Sequence, residues 1–287
     1  MLAVLRQAAL YLILTLFASA CLAQPTQSRL DRVRDTGELR IAYRTDSRPF
    51  SYIEQDKTPA GYSVDLCRWV VQSLEKAVGR EIKISWVEVD SRNRFAAIVD
   101  DRADIECGST TISLSRMKMV SFSTIIYADS TGVAIPARTR IGRFAELAGK
   151  RIGVIAGSTN AQAVAVEAAR RKMPLALIEF VDRDRAFEAL AAGELDGFAT
   201  DKLVLSALIS ERGPRLYDIL PDDLSAEPFA LMLPQGDWRL RLEVNSAIAR
   251  LFRSGEVIQL YTKHFASFGV QPSVWMGAVL TFGGLAE

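Results

Sequence analysis

The sequence predicts an α/β protein made of two similar units that face each other across a cleft, and three observations predict it. Short runs of alternating hydrophobicity are separated by segments whose apolar residues recur at helical spacing, which is the rhythm of a β-α-β chain. That rhythm occurs twice, the second set beginning near Val133. Each set also carries small hydroxyl residues after a strand, Gly108-Ser109-Thr110-Thr111 in the first and Gly157-Ser158-Thr159 in the second. Ligands of open α/β sheets settle at such strand ends.

The chain of 287 residues opens on a targeting pattern. Met1 to Arg6 is a short positive stretch, Ala8 to Ala20 is almost wholly apolar, and small residues precede the polar Gln24-Pro25-Thr26-Gln27. The apolar core is shorter than the roughly 20 residues a spanning helix needs, so residues 1–23 read as a signal peptide of an exported protein. Cleavage after Ala23 leaves a soluble product. Ala18-Ser19-Ala20-Cys21 offers lipid attachment at Cys21 instead, but Ala18 stands where a lipoprotein signal usually carries leucine. Lys+Arg 35 against Asp+Glu 34 excludes a nucleic-acid partner or a polybasic membrane mode from the expectations. After the signal only Cys67 and Cys107 remain, and their spacing does not say whether they bond. No Cys/His cluster calls for a metal, and no cofactor is expected.

Leu39 to Arg44 alternates as a strand that ends on Arg44, and Pro49 to Ile53 is the next extended piece. Gly61 opens a helix on which Val64, Cys67, Val71, Leu74 and Val78 share a face, making Cys67 a core residue. Ile82 to Val89 is a strand, Asn93 to Val99 a short helix, and Asp104 to Cys107 a strand that delivers the first hydroxyl run. There Gly108 lets the backbone approach a bound group, while Ser109, Thr110 and Thr111 supply donors. Ser113 is placed to cap a helix with Arg116 in its first turn. All of these suit an anion, and a guanidinium takes a carboxylate in two parallel hydrogen bonds. Met117 and Met119 read as core.

In the second set Phe144 to Leu147 is a helical turn, Gly149 to Val154 leads along a strand, and Gly157-Ser158-Thr159 opens a helix reaching Arg171. Leu177 to Phe180 is a strand, Asp184 to Ala192 a helix, and Gly197 to Thr200 a buried strand stopping at Asp201, which should cap the next helix. Leu216 to Leu220 and Phe229 to Leu233 are extended, and helices over Trp238–Phe252 and Glu256–Phe265 return the chain to the first unit. The expected division is 28–131 and 229–287 for one lobe and 132–228 for the other. The tail from Val274 to Ala286 should pack on the first lobe, and His264 reads as a packing or surface residue.

Gly61-Tyr62-Ser63-Val64-Asp65-Leu66, the Ser-Thr-Thr run with Arg116, Leu147-Ala148-Gly149-Lys150 ahead of Gly157-Ser158-Thr159, and Ser254-Gly255-Glu256 ahead of Tyr261-Thr262-Lys263 resemble the polar amino-acid-binding proteins of bacterial ABC importers. Ser91-Arg92-Asn93-Arg94, Glu106 to Thr111, and Arg44 ahead of Pro49-Phe50-Ser51-Tyr52 are most similar to the glutamate/aspartate-binding members. The resemblance spans nearly the whole exported chain. It implies a two-lobed periplasmic-binding-protein-like fold of type II, with two hinge strands and the ligand cleft between the lobes. It implies a periplasmic monomer that hands free glutamate or aspartate to a membrane permease. Arg116, Ser109 and Thr111, with Thr110 beside them, match the grip on the α-carboxylate. Asp201 matches the acceptor of the α-ammonium, and Ser158 and Thr159 match second-lobe donors. Arg44, Ser91 and Arg94 match the side-chain pocket, which Arg183 joins in place of an expected histidine.

The chemistry of the residues agrees with this reading. A zwitterion needs a cation and an anion, here Arg116 and Asp201, and a second carboxylate needs the further charge of Arg44, Arg94 and Arg183. The alternatives are an exported enzyme on the same scaffold, resembling cyclohexadienyl dehydratase, and a ligand-binding sensor. The enzyme is the weaker, because no His, Cys–His or Ser–His arrangement falls on a cleft segment.

Overall fold

Two strands carry the chain between the halves of the molecule. The computed structural model describes residues 28–268 and 273–285, so the expected signal peptide lies outside the described residues. The strands are β1 (Glu38–Arg44), β2 (Asp46–Ser47), β3 (Ser51–Ile53), β4 (Pro59–Ala60), β5 (Lys83–Val89), β6 (Ile105–Glu106), β7 (Val120–Pro136), β8 (Arg151–Ile155), β9 (Ala176–Phe180), β10 (Gly197–Asp201), β11 (Tyr217–Ile219) and β12 (Ala226–Pro234). The helices are α1 (Arg29–Thr36), α2 (Tyr62–Val78), α3 (Arg94–Val99), α4 (Thr159–Arg170), α5 (Arg183–Ala191), α6 (Lys202–Arg212), α7 (Trp238–Ser254), α8 (Glu256–Phe265) and α9 (Val274–Phe282).

Strand order is β5-β1-β6-β12-β7-β10-β8-β9, with β11 also on β7. Within each half the pairs β1–β5, β1–β6, β8–β9 and β8–β10 are parallel, which demands helical crossovers and explains the β-α-β rhythm. At the middle, β7 runs antiparallel to β12 from Val120↔Pro234 to Ser130↔Ala226, and its last part pairs with β10 from Thr131↔Asp201 to Ala134↔Phe198. β7 therefore belongs to both halves. The rhythm breaks near Val133 because a 17-residue strand changes partners there, not because a strand begins.

An aromatic cluster fixes these strands to the first lobe. Tyr127 of β7 and Phe229 of β12 lie 4.9 and 5.1 Å from the ring of Phe50, both edge-on, and Phe265 of α8 lies 5.1 Å from Tyr127. Edge-to-face pairs of this kind add about 0.5–1.5 kcal/mol each beyond their buried area. Gly61 closes the turn before α2 at φ +122°, and a Cβ there would stand 2.3 Å from the Phe50 carbonyl oxygen, so glycine is required.

Several local expectations need correction. Arg116 does not start an α-helix: Arg116–Lys118 is a single 3₁₀ turn, with the Ser113 hydroxyl accepting from the Arg116 amide at 3.3 Å. Met117 and Met119, on and just after that turn, are 45% and 49% exposed because the turn rides on the surface ahead of β7. Asp201 precedes α6 without capping it through its side chain, which is committed elsewhere. Two others agree with the structure: His264 packs, buried against Asp65 at 2.8 Å, and α9 lies along β7 with Met276 buried.

Cys67 of α2 and Cys107 after β6 form a disulfide, with Cα atoms 6.4 Å apart. The bridge ties the end of β6, and so the hydroxyl run that follows, to one of the two 17-residue helices of the first lobe. Closing a loop over a sequence separation of 40 stabilises by about 4 kcal/mol in the chain-entropy account, usually somewhat less in practice. Replacing both cysteines by serine should lower the unfolding free energy by about 2–4 kcal/mol in denaturant titration. A loss under about 1 kcal/mol would show that the bridge constrains nothing.

Candidate functional site

Where the two halves meet, they close on a chamber with only about 10 Å³ of free room, lined by Arg44, Ser91, Arg94, Ser109, Thr111, Arg116, Ile155, Ser158, Thr159, Asn160 and Arg183. That is about the room of one water molecule, so a solute enters only if the two halves part. Nine of the residues expected at the site are on its wall. Thr110 and Asp201 lie behind it. Asn160 and Ile155 are additions that the sequence reading did not single out.

Each wall residue is delivered by an element end. Arg44 terminates β1, Arg94 begins α3, Arg183 begins α5, and Ser158 caps α4, its hydroxyl accepting from the Ala161 amide at 3.0 Å. Four contacts hold the halves together around the chamber. Ser91 donates to the Val181 carbonyl at 3.1 Å, and Arg116 Nη2 to the Gly157 carbonyl at 3.3 Å. Thr159 meets Thr111 at 3.2 Å, and the Arg183 amide donates to Asp46 Oδ2 at 3.3 Å.

The four guanidinium groups differ in what neutralises them. Arg44, 1% exposed, forks onto Asp46 with its Nε 2.8 Å from Oδ1 and its Nη2 2.7 Å from Oδ2. Burial pushes the Asp46 carboxyl up, but Arg44 and Arg183 outweigh it and hold the group at about 2. Arg183 donates from Nε to Thr200 at 3.2 Å and from Nη2 to Asp201 Oδ2 at 3.3 Å, while its buried Nη1 has no hydrogen-bond partner. Arg116 spends Nη1 on the Thr111 carbonyl at 2.7 Å. Arg94, 3% exposed, makes no hydrogen bond or ion pair among the described residues, and its Nε is buried without a partner. Burial, with Arg44 and Arg116 adding to it, lowers the Arg94 guanidinium to about 9. Arg94 and Arg116 also share the ring of Phe95, at 5.3 and 5.2 Å.

The carboxylates stand in a second layer. Glu227 of β12 accepts from Thr111 and Thr159 at 2.6 Å each and from Thr131 at 3.1 Å, joining both lobes to the hinge. Glu106 accepts from Thr110 at 2.8 Å. Gly108 is explained by this layer, since a Cβ there would come within 2.2 Å of Glu106 Oε1. The close approach inferred from that glycine is to a side chain of the protein. Asp201 accepts from Asn160 at 2.9 Å and from Arg183, so both its oxygens are engaged. Sequence reasoning missed Asp46, Glu106 and Glu227. Asp46, two residues past Arg44, carried the clearest signal.

A family model for bacterial extracellular solute-binding proteins, family 3, matches residues 39–267. The chain is 29% identical over 257 residues to the L-glutamate/L-aspartate-binding protein of Pseudomonas aeruginosa, covering 88% of this chain and 85% of that protein. It is 28% identical over 261 residues to the glutamate/aspartate import solute-binding protein of Escherichia coli, covering 88% and 86%. Among solved structures, the cysteine-binding protein from Campylobacter jejuni matches with a TM-score of 0.76 at 20% identity, over 88% of this chain and 98% of that one. That last likeness is one of fold alone.

The hinge carries its own titratable group. Asp129 of β7 pairs in register with Glu227 and accepts from the Ser130 and Leu203 amides at 2.8 and 3.1 Å. Burial, then the nearby Asp201 and Glu227 charges, push its carboxyl up to about 8. The folded chain thus holds this proton more tightly than the unfolded chain, whose carboxyl titrates in the ordinary range. The stability this contributes is complete below the ordinary carboxylate range and is lost as pH rises through about 8. Unfolding free energy should fall by roughly 1–3 kcal/mol between about pH 6 and 8.5. Asp129→Asn should flatten that fall, and an unchanged pH profile in the variant would assign it to other groups.

Proposed function

Because the chain belongs to the bacterial extracellular solute-binding proteins of family 3, we propose that its chamber captures an acidic amino acid, glutamate or aspartate, and presents it to the membrane permease of an ABC importer. The observation that carries this is the pair of wall guanidiniums, Arg94 and Arg116, that make no ion pair with a carboxylate among the described residues. A ligand with two carboxylates supplies one to each. The N-terminus of α4, with Ser158 and Thr159 on the wall, adds backbone donors and a favourable dipole for the same charge. Ser109 and Ser91 supply hydroxyls beside the two arginines. The names of the relatives support glutamate and aspartate as the class. The apolar stretch Ala8–Ala20 supports export, and no helix among the described residues is long and apolar enough to cross a membrane.

Two measurements test this reading. A guanidinium offers donors only, so the amide NH₂ of glutamine finds no acceptor where the distal carboxylate of glutamate finds two donors. Glutamate and aspartate should bind within about two orders of magnitude of each other, and glutamine at least about a hundredfold more weakly than the better of them. Arg94→Gln should narrow the gap between glutamate and glutamine. Calorimetry showing equal affinity for the two in the parent protein would sink the acidic-ligand reading. The second measurement concerns Arg116→Ala, which removes a buried charge and an inter-lobe hydrogen bond together. Losing one partner of a buried pair typically costs about 3–5 kcal/mol, so glutamate affinity should drop by roughly two to four orders of magnitude. A loss of less than about tenfold would place Arg116 outside the binding interaction.

A further inference from the structure

The chamber wall carries four arginines and no carboxylate. A ligand's ammonium group needs an anionic acceptor when water is excluded, because a buried unpaired cation is among the costliest groups to leave alone. Four acids lie close behind the wall; three have both oxygens or an arginine fork engaged, and the fourth, Glu106, keeps Oε1 buried without a hydrogen-bond partner, on the Arg94 side of the site. Asp46 is forked by Arg44. Glu106 accepts from Thr110, and Glu227 takes the hydroxyls of Thr111, Thr159 and Thr131. Asp201 is the acid nearest in kind to an ammonium acceptor. It accepts from Asn160 on one oxygen and from Arg183 on the other.

Arg183 is what closes Asp201 off. It is 3% exposed and lines the chamber, with its Nη2 on Asp201 and its buried Nη1 3.7 Å from Asp46 Oδ2, too far for a hydrogen bond. A guanidinium reaching between the chamber and Asp201 supplies the positive charge that a ligand ammonium would otherwise bring, and it leaves a further donor for an anion. The charge balance points the same way. With Arg44 set against Asp46 and Arg183 against Asp201, the wall guanidiniums without an ion pair are Arg94 and Arg116. A dicarboxylate supplies one carboxylate to each guanidinium of that pair and asks for no further anionic acceptor on the wall.

We propose that Arg183 replaces the ligand ammonium as the counter-ion of Asp201, so that this chamber recognises compact four- and five-carbon dicarboxylates by their two carboxylates and does not require an α-amino group. The proposal rests on reading the chamber as an acidic-solute site, and it names Arg183 as the residue that sets which acidic solutes enter.

Matched pairs test it, because glutarate is glutamate without the amino group and succinate is aspartate without it. Calorimetric titration of the purified exported chain with all four acids should find each amino-free acid within about tenfold of its amino-acid partner, or tighter. A deficit greater than about tenfold for both amino-free acids overturns the proposal and leaves the acidic amino-acid reading intact. If none of the four binds, the acidic-solute reading itself falls. Arg183→Gln releases Asp201, and it should shift the glutamate-to-glutarate affinity ratio at least about tenfold toward glutamate. An unchanged ratio in a variant that still binds glutamate would overturn the role given to Arg183. The parent pairs decide the ligand class without any variant, so the test does not depend on that substitution folding.

Discussion

Four guanidinium groups are held out of water around one small chamber, and the need to compensate them orders much of the surrounding structure. An arginine in such a place persists only beside a counter-charge or with its donors occupied. Two are compensated from within, Arg44 by Asp46 and Arg183 by Asp201. Arg116 is partly satisfied by backbone carbonyls from both lobes. Arg94 is left to electrostatics and to the face of Phe95. Negative charge supplied to Arg94 and Arg116 would therefore favour the state in which they are buried.

The hinge is built to feel that equilibrium. Glu227 sits on β12, one of the two joining strands, and collects hydroxyls from the first-lobe run, from the start of α4 and from β7. One side chain thus joins segments of both lobes to the strand between them. The aromatic cluster around Phe50 anchors the same strands on the first-lobe side, so bending is confined to the stretch between Tyr127 and the point where β7 takes up β10. Asp129, in register with Glu227, lies within that stretch.

Much of this was legible in the sequence because it rests on local periodicity and on residue types that leave few options. Strand and helix order followed from hydrophobic spacing, and the resemblance gathered the wall arginines from positions far apart in the chain. What escaped was set by tertiary contact. The period-two pattern of β7 cannot reveal that its two ends pair with different strands. The Met117–Met119 segment looked like core because apolar residues were counted without knowing that the 3₁₀ turn stands clear of the sheet. Gly108 signalled a close approach, but only the fold shows that Glu106 makes it. Of the second-layer acids only Asp201 was singled out, through the resemblance; Glu106 and Glu227 received no role for the same reason: a carboxylate in a sequence reads as solvated until the structure shows whose donor it holds.

Arg183 stands where the resemblance led one to expect histidine, and the exchange changes the physics of the site. Histidine titrates near neutrality, so its grip on an anion would weaken as pH rose through its pKa. Arginine keeps its charge throughout that range and reaches further, far enough here to contact Thr200 and Asp201 while still lining the chamber. Its side chain therefore removes a pH-sensitive group from the chamber wall and commits the neighbouring acid permanently. The remaining titration near neutrality shifts to the hinge, where burial raises Asp129. Burial raises the Asp201 and Glu106 carboxyls behind the wall as well, so protons act on this site through its buried acids and not through the residue at 183.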